Sequence, residues 1–138
     1  MIDFGAVTQA VHARVDAAVT VPVTVTTAPA GTPRPASYAV ILVAIGSQRT
    51  GTVTMPEDSA IIRVSIRAVA RSNQVDVARR EVQRISHLCG TALLDRTQPV
   101  TGTGWAVTGR TEISDSGVDV EGDVANLVVD YELTVSPA

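Results

Sequence analysis

The eleven residues Ile61–Arg71, IIRVSIRAVAR, constrain the fold more than any other stretch of this chain. Ile62, Val64, Ile66, Ala68 and Ala70 fall on one side of the alternation, and Arg63, Ser65, Arg67 and Arg71 fall on the other. Side chains along a strand point to opposite faces with a period of two. The segment therefore predicts a strand with one face on a core and the other facing water or a partner.

Other strands follow from the same reasoning. Val124–Val135 alternates too, placing Ala125, Leu127, Val129, Tyr131, Leu133 and Val135 inward and Asn126, Asp130, Glu132 and Thr134 outward. Thr103–Ile113 predicts a third such strand, with Trp105, Val107, Thr111 and Ile113 on one side. Tyr38–Ile45 is a continuous apolar run, which predicts a strand buried on both faces. Val21–Val25 is a short extended stretch, kept to an edge by Pro22. The connecting segments 26–37, 46–59 and 114–122 are rich in Pro, Gly or acidic residues and predict loops.

Two helices complete the set. Phe4, Val7, Val11 and Val15 form one stripe over residues 2–18, with Asp3 as the cap. Val75, Ala78, Val82, Ile85, Cys89 and Leu93 form another over residues 73–94, where Ser72 or Asn73 is the cap and Asp76 completes a capping box. Gly90 is a candidate kink or early stop. The expected fold is one α+β domain spanning 1–138. Its sheet is mostly antiparallel, of four to five strands in the order α-β-β-β-α-β-β, with both helices on one face. The other sheet face is left polar and open.

Composition narrows the function. Hydrophobic residues make up 45% and charged residues 18%, which supports a packed core. The aromatics are Phe4, Tyr38, Trp105 and Tyr131, a poor platform for stacking bases or sugars. Net charge is −3, too small to imply a polyanionic partner. Basic residues are all Arg, a bias that codon usage produces and that also suits bidentate contacts at interfaces. Cys89 is the single cysteine, so no intrachain disulfide is expected, and a reducing cytoplasm is the expected site of synthesis. No stretch reaches the length of a membrane span.

Catalytic constellations are missing from the pattern. His12 and His87 lie on separate helices, away from any glycine-rich nucleophile turn. One cysteine and two distant histidines do not make a zinc site. Asp115, Asp119, Glu121 and Asp123 lack the ligand spacing of a calcium loop. Gly102-Thr103-Gly104 precedes a strand rather than a helix, so it does not cradle phosphate. The expectation is a protein without catalytic residues, metal or cofactor. Charge is more telling. Residues 61–98 carry seven arginines against three acids, whereas residues 109–138 carry Arg110 against seven acids. Arg63 and Arg67 pair with Asp130 and Glu132 within one subunit, or a basic surface of one copy meets an acidic surface of the next.

The stretch IIRVSIRAVARSNQVDVARREVQRISHLC resembles the strand-then-helix centre of siphophage tail terminator proteins. TEISDSGVDVEGDVANLVVDYELTVSPA resembles their final hairpin, and the leading helix, Pro-containing loop and SYAVILVAIG also fit. The resemblance implies a structural, non-enzymatic virion protein at the head–tail junction, assembled in the bacterial host cytoplasm. Such proteins form a hexameric ring that stops tube polymerisation and offers a surface to the head. The implied partners are further copies of the chain, the major tail tube protein and a head–tail connector protein, with DNA only passing through the channel and no membrane. Arg63, Arg67 and Arg71 become candidates for ring or tube contacts, with Asp130 and Glu132 as charge partners. The loops 26–37 and 46–59 become candidates for gripping the tube. Another neck component, a head-closure or adaptor protein, and a small ligand-binding domain are the alternatives.

Overall fold

The computed structural model describes residues 2–31, 34–49 and 59–138. Its elements are α1 (Phe4–Ala18), β1 (Val23–Val25), β2 (Ser37–Arg49), β3 (Ser59–Arg71), α2 (Val75–Leu94), β4 (Thr101–Gly102), β5 (Trp105–Asp115), β6 (Asp119–Glu121) and β7 (Val124–Pro137). The strands form one seven-stranded sheet in the order β1-β2-β3-β7-β5-β4, with β6 also paired to β7. All ladders are antiparallel except that of β1 with β2. The fold is thus α+β as expected, with a mixed sheet and two very short strands, β4 and β6, that the sequence pattern did not announce.

Each element has a local cause. Asp3 caps α1, its Oδ1 accepting from the Ala6 N–H at 3.1 Å, and Val7, Val11 and Val15 are fully buried along one stripe. Phe4 is only partly buried. For α2 the expected capping box does not form. Gln74 precedes the helix without a side-chain cap, and Ser72 Oγ accepts from the Gln74 N–H instead. Val75 is 43% exposed, so the buried stripe begins at Ala78 and runs through Val82, Ile85, Cys89 and Leu93. The helix continues through Gly90 to Leu94. A Cβ at Gly90 would overlap the hydroxyl of Tyr131, which lies directly beneath, so glycine there admits the tyrosine.

α2 packs on β3 and β7 at the centre of the sheet. α1 lies against α2 and also touches both β1 and β4, the two ends of the strand order. The sheet therefore curls around the helices, and the core sits between them: Ile62, Val64, Ile66, Leu127, Val129, Tyr131 and Leu133 from below, the helix stripes from above. His12 on α1 fastens one end, its Nε2 lying 2.8 Å from the Val23 carbonyl oxygen. Just beyond β1, Thr26 sits at φ 71, in the left-handed region that a β-branched residue rarely adopts. It is held there by bonds from its own N–H to the Ile41 carbonyl and from the Thr27 N–H to the Val25 carbonyl.

Three expectations need correction. β2 is not buried on both faces: Ala39 and Ile41 face the core, but Leu42 is 47% and Ile45 51% exposed. Residues 46–49 continue that strand past a register shift at Gly46 rather than opening a loop, while residues 50–58 lie outside the described residues, as do 32–33 of the segment 26–37. The acidic stretch 114–122 is not a plain loop, since β5 runs to Asp115 and β6 pairs with β7.

Candidate functional site

The open face of the sheet collects the singled-out residues. On β3, Arg63 and Arg67 are exposed, as alternation requires, and Ser65 is half-buried between them. On β7, Asp130 and Glu132 point to the same side. Register sets the neighbours: Arg63 is opposite Glu132, Ser65 opposite Asp130, and Arg67 opposite Val128. Asp130 is held by two hydroxyls, accepting from Ser65 Oγ on one oxygen and from Ser114 Oγ at 2.9 Å on the other. Among the described residues, no ion pair within 4.0 Å joins Arg63 or Arg67 to either acid. Arg71 lies at the end of β3 and reaches Asp123 at 3.7 Å, with both side chains about 60% exposed. A pair so wet contributes little to stability. The face therefore presents two guanidinium groups beside two carboxylates, of which that of Asp130 is held by hydroxyls.

Arg110 is the residue that the pattern missed. Strict alternation along 103–113 puts Thr111 and Ile113 inside and Arg110 outside. A bulge between Val107 and Gly109 shifts the phase by one residue. Arg110 consequently turns in, only 8% exposed, and Thr111 turns out to stand opposite Glu132. Its guanidinium donates to the Leu93 carbonyl at 3.1 Å, the Asp95 carbonyl at 2.5 Å and the Gln98 carbonyl at 3.0 Å. These are the orphan carbonyls at the α2 C-terminus and the turn after it, where a cation also meets the negative end of the helix dipole. Burial, and then the nearby Arg14, lower its pKa, while Asp95 opposes them. A second bulge between Glu112 and Ser114 leaves Ile113 40% exposed.

The concave surfaces hold few polar groups that are not already engaged. A groove of about 650 Å³ runs between α1 and α2, lined by Ala10, Ala13, Ala17, Leu88 and Ala92, with Arg14, His87, Thr91 and Asp95 at its rim. Arg14 is already engaged, donating to Gln98 Oε1 at 2.6 Å and to the Pro99 carbonyl at 2.8 Å. Asp95 Oδ1 is taken by the Thr97 N–H and hydroxyl, which hold its carboxyl below the usual range. A second hollow, of about 440 Å³, is lined by Ser86, Gly90, Glu112, Leu127 and Tyr131. Burial pushes the Cys89 thiol up to about 11, and burial, then Glu112, raises Tyr131. Both shifts favour the protonated forms, so neither group is an activated nucleophile at neutral pH. Among the described residues no three His, Cys, Asp or Glu side chains cluster to hold a metal. No described helix is long and apolar enough to cross a membrane.

No family model matches the chain, and no curated protein matches it. Solved structures do. One similar chain belongs to the virion of a native gene transfer agent particle, with a TM-score of 0.56 and 18% identity, covering 96% of this chain and 92% of that one. A second solved chain aligns with a TM-score of 0.64 and 17% identity over 100% of this chain and 97% of the other. At such identities the likeness is one of fold, and it runs end to end in both cases.

Proposed function

We propose that this chain is a structural subunit of a phage-type virion, the terminator that closes the head-proximal end of a tail tube as a ring. The observation that carries the reading is the end-to-end likeness of fold to a chain of a gene transfer agent virion. The sequence resemblance to siphophage tail terminators points the same way, and the surface chemistry suits it. Clefts lined by alanines and already-engaged polar groups offer little to a small substrate. An open sheet face with exposed guanidinium groups and carboxylates offers much to a protein.

In this reading Arg63, Arg67, Asp130 and Glu132 contact the tube, the connector or a neighbouring copy, and Arg71 belongs to the rim of the same surface. The ring has six members, and DNA passes through its channel without being read. The chain then resides at the head–tail junction of the virion. Fixing Asp130 between two hydroxyls suits a docking surface, because less side-chain freedom is lost when a partner arrives.

Native mass measured across protein concentration, at low and moderate salt, tests the proposal together with binding to purified tail tubes. A six-fold species that salt weakens, and that blocks further growth of tubes, is the expected result. A chain that stays monomeric and does not bind tube ends overturns it. A ring that binds heads but ignores tubes would move the assignment to another neck component.

A further inference from the structure

We propose that successive copies of this chain join through two strand edges left open at opposite ends of the sheet, β5 of one copy pairing antiparallel with β2 of the next. The inference rests on the reading of the chain as a ring subunit and names the seam of that ring. On β2, the short β1 covers only Ala39–Ile41, and among the described residues no strand lies against the outer side from Leu42 onward. On β5, the two-residue β4 covers only Trp105 and Ala106, with one further bond from the Val107 N–H to the Val100 carbonyl. Among the described residues, no strand pairs with the outer side of Thr108–Asp115 beyond it. Such edges are rows of unpaired N–H and C=O groups, and another strand is what satisfies them.

The two edges match in several independent ways. Each has one straight run of four residues: Leu42–Ile45 before the register shift at Gly46, and Gly109–Glu112 between the two bulges of β5. Traced through the ladders, Gly109–Glu112 is level with Thr134–Tyr131 of β7, hence with Ile61–Val64 of β3 and Val43–Ser47 of β2. The open runs therefore lie at nearly the same height along the strands. β2 runs parallel to β7 and β5 runs opposite to it. Copies related by rotation about an axis along the strands thus bring β5 against β2 in antiparallel sense. That is a heterologous contact, of the kind that closes into a ring.

The exposed apolar side chains mark the same places. Val25, Leu42, Ile45 and Ile113 are four of the six large ones among the described residues, and all belong to these two edge regions. Charge selects the partner. The open part of β5 carries Glu112 and Asp115, so two β5 edges repel each other, whereas β2 carries no acid along its length. The bulges keep the pairing short, which limits runaway edge-to-edge growth.

Two kinds of variant test the seam. Bonds at Ala39 and Ile41 to the β1 side show that odd-numbered residues of β2 aim their backbone groups outward, so Val43→Pro removes an outward N–H and spares the ladder to β3. Val43→Pro is expected to raise the concentration needed for assembly at least about tenfold, with an unchanged far-UV spectrum. Independently, Ala44→Cys and Thr111→Cys place thiols on exposed positions of the two edges, and the natural Cys89 is buried. A short bis-maleimide is expected to link the two variants only when they are mixed. Linking of either variant alone reveals a two-fold seam and overturns the proposal. Six-fold rings that form normally yet never cross-link overturn the seam while leaving the ring intact. A wild-type chain that is monomeric at every concentration removes both.

Discussion

β7 and β5 lie side by side in one sheet, and they obey the alternation rule to different degrees. Burial along β7 alternates without a break from Ala125 to Val135. β5 breaks phase twice in eleven residues. The unbroken strand is bounded by β3 on one side and by β5 and β6 on the other, and its inward side chains form the floor under α2. The broken strand stands near the sheet's end, and each break re-aims a residue: the first sends Arg110 inward, the second leaves Ile113 in water. Regular pairing builds the core, and irregular pairing at the periphery places the exceptional side chains.

The contrast can be tested by perturbing each strand in turn. Leu133→Ala, on the unbroken strand at a fully buried position, is expected to cost about 3 kcal/mol in urea unfolding. A cost under about 1 kcal/mol would mean that β7 is not the floor of the core. Next, Arg110→Met keeps length and bulk but strips the donors from three carbonyls, that of Leu93 buried and those of Asp95 and Gln98 partly so. We expect a loss of about 2 kcal/mol, with less than half recovered by Arg110→Lys, whose ammonium cannot span all three. If Arg110→Met is as mild as Thr111→Ala, the first bulge aims nothing of consequence.

A pH experiment sharpens the same picture beneath α2. The Cys89 thiol has its pKa raised from 9.0 to about 11 in the fold, so its contribution is complete below pH 9 and is lost as pH rises towards 11. Stability should fall by up to about 2 kcal/mol across that interval. Cys89→Ala should flatten the fall, leaving the part due to Tyr131, whose pKa is also raised. No difference between the two chains would place the thiol in contact with water. The smallest effects belong to the outward residues: Ile113→Thr and Arg63→Ser should each change stability by no more than about 0.5 kcal/mol. Any loss from Arg63→Ser should appear in assembly or tube binding.

What the sequence revealed follows the same line. α1, β3 and β7 are legible because their inward positions stay apolar throughout, although Val69 on the outward side of β3 is buried as well. The inward pattern puts Arg63, Arg67, Asp130 and Glu132 on one face. The hydroxyl partners of Asp130 are not legible, because Ser65 and Ser114 meet it only through register set by two separate ladders. Thr108 gives no hint that β5 will bulge there, so Arg110 reads as a surface cation. β2 misleads in a different way: its continuous apolar run suggests burial on both faces, yet Leu42 on one side and Ile45 on the other are each about half exposed. An apolar surplus at an edge is legible as composition, but not which of its side chains the fold leaves uncovered. Val75 fails as a core residue because it lies at the first position of its helix, beyond the reach of the sheet.

The position of α1 has a consequence in time. It touches β1, which follows it within a few residues, and β4, more than 80 residues further on. Contacts so distant in sequence are costly to close and form late. A growing chain leaves the ribosome N-terminus first, so the helix that holds both ends of the sheet is made long before β4 exists. Until then its valine stripe has no complete seat, and that waiting interval is when the chain is most exposed to wrong partners.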